Sequence, residues 1–242
     1  MNATKVLADS TSQRKFLIDN KVVKKSSIIV LANGSVAGVD LERFKFKEDV
    51  RNEIRKQNGI RDDAIVFLFL GRLSKDKGLV DLFQAFAIVA KSNEDIHLLI
   101  VGPDEAGLEV RYMELFEQFP GQVHRIGYTI CPEDYMSASD VLCLPSYREG
   151  FGTVIIEAAS VGLPSIASRI YGITDAVVDG MTGILHQPAS DSEIADAMSL
   201  LVSDGALRRR MGEAARDRVI NKFSAERLSQ AFMCFYQEIF LD

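Results

Sequence analysis

From about residue 60 the chain alternates short apolar runs with amphipathic stretches. Ile65 to Leu70 ends at Gly71, Ile96 to Val101 at Gly102, Val123 to Ile126 at Gly127, and Val141 to Leu144 at Pro145. Pro164 to Ala167 and Gly183 to Leu185 are shorter runs of the same kind. Continuous apolar runs of this length predict strands buried on both faces. Between them, Leu79, Leu82, Phe83, Phe86 and Ala90 fall on one face at helical spacing. Strand–helix alternation predicts an α/β fold with a Rossmann-like parallel sheet flanked by helices. Ligands of such sheets sit outside the carboxyl ends of the strands. The unusual residues of this sequence collect at those ends.

The two ends of the chain differ from this pattern. Val6-Leu7-Ala8 is one short run, followed by a helix opened by Asp9-Ser10-Thr11-Ser12. Ser224 to Phe240 reads as a helix with an N-cap serine and with Phe232, Phe235, Tyr236, Ile239 and Phe240 concentrated on it. Two readings of that helix stand: it packs on its own domain, or it belongs against a domain this chain does not contain.

Composition narrows the class. The 242 residues are 47% hydrophobic and 26% charged, which excludes disorder and low-complexity architecture. A net charge of −6 offers no general field for nucleic acid. Cys131, Cys143 and Cys234 are too few and too irregular for a disulfide framework or a zinc site. No apolar run approaches the ~18–20 residues that cross a bilayer, and the N-terminus has no secretory h-region. A cytoplasmic protein is expected.

Two loops carry candidate chemistry. In Gly71-Arg72-Leu73-Ser74-Lys75-Asp76-Lys77-Gly78, a strand ends at Gly71 and a helix opens at Gly78. Arg72 offers a planar fork and Lys77 a point charge to phosphate oxygens; an ordinary solvated loop is the alternative. Lys75 serves as the internal control, a merely solvated cation. The second loop, Ser146-Tyr147-Arg148-Glu149-Gly150-Phe151-Gly152-Thr153, leads straight into a helix that carries Glu157. The backbone N–H groups of Gly150, Phe151, Gly152 and Thr153 would form an anion site suited to a diphosphate. Glu149 and Glu157 are eight positions apart; at ~1.5 Å per helical residue they would stand roughly 12 Å apart. Glycosidase pairs need about 5–9.5 Å, so this is no hydrolase pair. It is a span that reaches from the ribose to the hexose of a nucleotide sugar.

Other chemistries lack their residues. His97 and His124 fall in strands and read as core residues. No Gly-x-Ser-x-Gly elbow and no Gly-x-x-x-x-Gly-Lys-[Ser/Thr] loop is present. A dinucleotide oxidoreductase would need Gly-x-Gly-x-x-Gly after the first strand. Arg208-Arg209-Arg210 reads as a solvated face of a charged helix.

Taken jointly, these segments resemble a known family. Gly71-Arg72-Leu73 with Lys77-Gly78, and Glu149-x7-Glu157 inside Glu-Gly-Phe-Gly and Glu-Ala-Ala, look like the donor domain of retaining glycosyltransferase family 4. Asn33-Gly34-Ser35, Val39-Asp40, Phe44, Gly162-Leu163-Pro164 and Asp179-Gly180-x-x-Gly183 are similar to that domain too. Ile170 to Asp175 resembles the bacterial capsule and exopolysaccharide type. The resemblance implies the C-terminal half of a GT-B fold: residues 1–25 a remnant of an N-terminal acceptor domain, 26–221 the nucleotide-sugar domain, and 222–242 a crossover helix. It implies a UDP- or GDP-type sugar as donor, a saccharide or lipid-linked acceptor, no cofactor and no protein-bound metal. Arg72 and Lys77 would stabilise the leaving diphosphate. Glu149 would hold sugar hydroxyls, Glu157 the ribose, and Tyr128 would neighbour the base, with Gly71 and Gly150 to Thr153 completing the site. The whole enzyme would work in the cytoplasm or at the inner face of the membrane. Without the acceptor domain, the chain would be a nucleotide-sugar-binding module, with apolar surface left for self-association.

Overall fold

The computed structural model describes residues 5–105, 107 and 117–241. Residues 1–4, 106, 108–116 and 242, and the side chains of Phe240 and Leu241, lie outside what is described. Six parallel strands form the central sheet: β3 (Ile65–Leu70), β4 (Ile96–Val101), β5 (Val123–Ile126), β6 (Val141–Leu144), β7 (Ser165–Ser168) and β8 (Gly183–His186). Their spatial order is β5-β4-β3-β6-β7-β8. The chain steps outward from β3 to β5, then returns to the far side of β3 and steps outward to β8. Such a reversal opens a crevice between the strands on either side of it, here β3 and β6.

Alternate residues of each strand serve two cores. Val66 and Leu68 join Leu99, Leu142 and Ile156 on one face. Phe67 and Phe69 join Leu82, Phe86, Ile100 and Met198 on the other. Burial on both faces is why these strands read as unbroken apolar runs. Val123–Ile126 corrects that expectation: all four residues of this edge strand are only partly buried. The faces are covered by α2 (Glu48–Gln57), α3 (Leu79–Ala90), α4 (Pro132–Ala138), α5 (Thr153–Val161), α6 (Ile173–Ala176), α7 (Asp191–Ser203) and α8 (Gly205–Lys222).

At the amino ends of the strands, Arg55 of α2 is 1% exposed and pairs with Asp140 at 2.7 Å. Asp140 also accepts from Arg51 at 2.7 Å and from the Val66 N–H at 2.8 Å. That cluster ties α2 to the starts of β3 and β6.

The N-terminal segment forms a separate two-stranded parallel sheet, β1 (Val6–Leu7) with β2 (Ile28–Ile29), around α1 (Thr11–Asp19). Ser10 caps α1 by accepting from the Gln13 N–H. The segment is fastened to the main body. Ser10 Oγ donates to the Gly150 carbonyl at 3.4 Å, and the Gly172 N–H donates to Ser12 Oγ at 2.7 Å. The Thr11 and Ser12 N–H groups and the Ser12 hydroxyl donate to the Asp175 carboxylate. Phe16 stacks on Tyr171 at 4.6 Å between centroids.

The last helix, α9 (Ala225–Leu241), starts where the chain returns to Val39, whose N–H and carbonyl bond Phe223 and Ala225. Leu228 is buried, but Met233 and Tyr236 are at least half exposed. The reading in which this helix packs wholly on its own domain is therefore corrected for its second half. No helix among the described residues is long and apolar enough to cross a membrane.

Candidate functional site at the sheet reversal

The two loops predicted to carry chemistry leave the carboxyl ends of β3 and β6, the strands flanking the reversal. They touch through backbone. Gly78 sits at φ +67°, and a Cβ there would stand 2.0 Å from the Pro145 carbonyl oxygen. Only glycine fits both the conformation and the approach. The Tyr147 N–H donates to the Asp76 carbonyl at 2.8 Å, and the Tyr147 hydroxyl to Asp81 on α3 at 2.6 Å. The loops therefore behave as one piece.

This contact brings Lys77 and Glu149 together. Lys77 Nζ lies 2.5 Å from Glu149 Oε1, which also accepts from Ser146 Oγ at 2.8 Å. Arg72 points the other way and pairs with Glu105 at 3.0 Å, both more than half exposed. Lys75 is exposed and unpaired among the described residues, as its control role requires.

Helix α5 opens without a side-chain cap, from Gly152 in a left-handed conformation at φ +72°. The N–H groups of Gly150, Phe151, Gly152 and Thr153 donate no hydrogen bond among the described residues. Four free donors at a helix start make an anion cradle. The Phe151 side chain takes no part in it, being 2% exposed and packed on Phe223.

Two adjoining cavities share Leu70, Gly71 and Arg72. One of about 440 Å³ is lined by Lys77, Glu149, the cradle, Asp9 and Val36. The other, about 370 Å³ and mostly apolar, is lined by Gly102, Pro103, Glu105 and Tyr128. Tyr128 stands exposed at its rim. Among the described residues, no cluster of His, Cys, Asp or Glu is placed to hold a metal ion.

Glu157 stands apart from both linings. It lies on α5, where burial pushes its carboxyl up to about 7 against the opposing charge of Arg43. Arg43 itself pairs with Glu133. The eight-residue ruler between Glu149 and Glu157 is corrected: α5 begins only at Thr153, so half of that interval is not helical. Asp9, Glu105 and Arg43 were not singled out from the sequence. Each comes to its neighbours through tertiary contact and carries no local signal.

Comparisons with known proteins bear on the family and the fold. A profile of the glycosyl transferases group 1 family matches residues 50–218. The capsular polysaccharide biosynthesis glycosyltransferase CapM of Staphylococcus aureus is 32% identical over 241 residues, covering 98% of this chain and 63% of CapM. Among solved structures, Anabaena Alr3699/HepE in complex with UDP superposes with a TM-score of 0.87 at 21% identity, over 97% of this chain and 64% of that one. Sucrose-phosphate synthase from Thermosynechococcus elongatus does so with 0.85 at 29% identity, over 99% and 59%. These neighbours share the α/β architecture of the GT-B glycosyltransferases. The chain spans 63%, 52% and 44% of the first curated relatives it matches. By the match of the family profile over residues 50–218 and its 32% identity to CapM, the chain belongs to the glycosyl transferases group 1 family.

Proposed function

We propose that these residues form the donor half of a retaining family 4 glycosyltransferase that moves a hexosyl group from a UDP- or GDP-type sugar to a saccharide or lipid-linked acceptor. The observation that carries the reading is the cavity at the sheet reversal, lined by Lys77 and four free N–H groups, with Arg72 on the edge it shares with the neighbouring cavity. As the anomeric C–O bond breaks, its electron pair goes to the diphosphate. Arg72, Lys77 and the cradle are placed to stabilise that charge, and loss of one such group costs on the order of 10²–10³ in rate. Glu149 accepts sugar hydroxyls, and the apolar neighbouring cavity takes the base beside Tyr128. Glu157 remains the candidate for the ribose.

CapM names a capsular polysaccharide enzyme and HepE a UDP complex. The first supports a role in cell-surface polysaccharide synthesis and the second a UDP-type donor; a place at the cytoplasmic face belongs to the same proposal. On this reading residues 1–25 and 222–242 belong against an acceptor domain, in keeping with relatives of greater length. The second reading, a nucleotide-sugar-binding module without turnover of its own, has the same support. Calorimetry with UDP, GDP and NAD tests both. Selective binding of UDP or GDP is expected, with Arg72→Ala weakening it far more than Lys75→Ala. Preference for NAD, or equal effects of the two substitutions, would overturn the assignment.

A further inference from the structure

The donor cavity contains a carboxylate without a role in the reading above. Asp9 lies between β1 and α1, outside the six-stranded sheet, yet it lines the same cavity as Lys77, Glu149 and the cradle. Its backbone is held on both sides. Its N–H donates to Gln13 Oε1 at 2.9 Å, and its carbonyl accepts from the Ser35 N–H at 2.7 Å. Gly34 packs so tightly there that a Cβ would stand 2.4 Å from the Asp9 carbonyl oxygen. The side chain, by contrast, makes no hydrogen bond and no ion pair among the described residues. Its Oδ2 stands 3.3 Å from the place of a Cβ on Gly150, the first residue of the cradle. The other carboxylates of the two cavities are matched, Glu149 by Lys77 and Glu105 by Arg72. Asp9 is a fixed, unmatched negative charge facing a site made for an anion.

We propose that Asp9 is a specificity-determining residue of the donor site, one that disfavours a free nucleoside diphosphate and favours one whose terminal phosphate is capped by a sugar. The proposal rests on the donor-site reading above. A free terminal phosphate ionises a second time with a pKa of about 6, so near neutrality it brings an additional negative charge toward Asp9. A sugar ester removes that ionisation and supplies hydroxyl donors that a carboxylate accepts. The same charge would speed departure of the spent nucleotide, whose terminal phosphate becomes free once the sugar has left.

The test compares dissociation constants of UDP and UDP-glucose, and of GDP and GDP-mannose, in the 242-residue chain and in Asp9→Asn and Asp9→Glu. Asp9→Asn is near-isosteric and removes no hydrogen bond, so folding is preserved. It should tighten the free diphosphate by roughly tenfold at low salt while changing the capped one by less than about threefold, and the difference should shrink as salt rises. Asp9→Glu, which keeps the charge, should retain wild-type discrimination. If the wild-type chain binds UDP or GDP and Asp9→Asn leaves the free-to-capped ratio unchanged, the role of Asp9 is overturned while the donor site stands. If the wild-type chain binds neither, both fail.

Discussion

Glu157 and His124 are titratable groups that the fold holds away from their ordinary values, in ways that give opposite pH signatures. Burial raises the Glu157 carboxyl from 4.5 to about 7. The folded state therefore holds a proton that the unfolded chain has already lost. That contribution to stability is full below about pH 4.5 and is lost as the pH rises through about 7. Glu157→Gln should match wild type at pH 4 and exceed it by about 1–3 kcal/mol at pH 8, read from urea unfolding. His124 stacks on His97 at 5.2 Å, with a ring-nitrogen contact of 3.0 Å, and burial together with its neighbour lowers it from 6.5 to about 4. Here the unfolded chain takes the proton first. Stability should be full above about pH 6.5 and fall by about 1–3 kcal/mol between there and pH 4, a loss that His124→Leu would flatten. Reading His97 as a core residue foresaw its burial, whereas His124 is only partly buried on the edge strand β5. Nothing local to Glu157 announced Arg43 and Glu133, because those neighbours arrive from distant parts of the chain.

Among the elements, the sheet separates stability from chemistry by its two ends. At the amino ends Asp140 neutralises Arg55, which is almost wholly buried. Removing one member of such a pair leaves an uncompensated buried charge and costs about 3–5 kcal/mol. Asp140→Ala should lower the urea midpoint accordingly while leaving the nucleotide affinity of the folded protein unchanged. At the carboxyl ends Gly78→Ala should act on both. Its Cβ would meet the Pro145 carbonyl at 2.0 Å in a left-handed conformation, costing about 2–4 kcal/mol and driving the Lys77 and Glu149 loops apart. Calorimetry should then show weakened UDP or GDP binding, unlike Asp140→Ala. The strands around these loops were legible because burial on both faces leaves an unbroken apolar signature that glycine or proline ends. β1 left only the short run Val6-Leu7-Ala8, and the apolar run Ile28 to Ala32 that holds β2 was not singled out. The ruler between the two glutamates failed because Gly152 turns left-handed and delays the helix to Thr153.

For the whole molecule, the 242-residue polypeptide should bind donor nucleotide and show no sugar transfer by itself. A cavity open on one side leaves Arg72 and the cradle in a higher dielectric, where each charge contact is worth several-fold less. An acceptor there also lacks positioning. A radiolabelled transfer assay checks this. Met233 and Tyr236 on α9 should drive concentration-dependent association in sedimentation velocity, reduced by Met233→Lys with Tyr236→Lys. The fastening of the N-terminal segment has a mechanical meaning. Ser10 holds the Gly150 carbonyl, and Ser12 joins the Gly172 N–H to Asp175. Helix α1 cannot rotate against the sheet without dragging the turn that follows β6. A torque on the amino-terminal strands is thus delivered to the turn that follows β6 as a tilt of its four N–H vectors, and on the proposed reading the affinity for a diphosphate should vary with that angle.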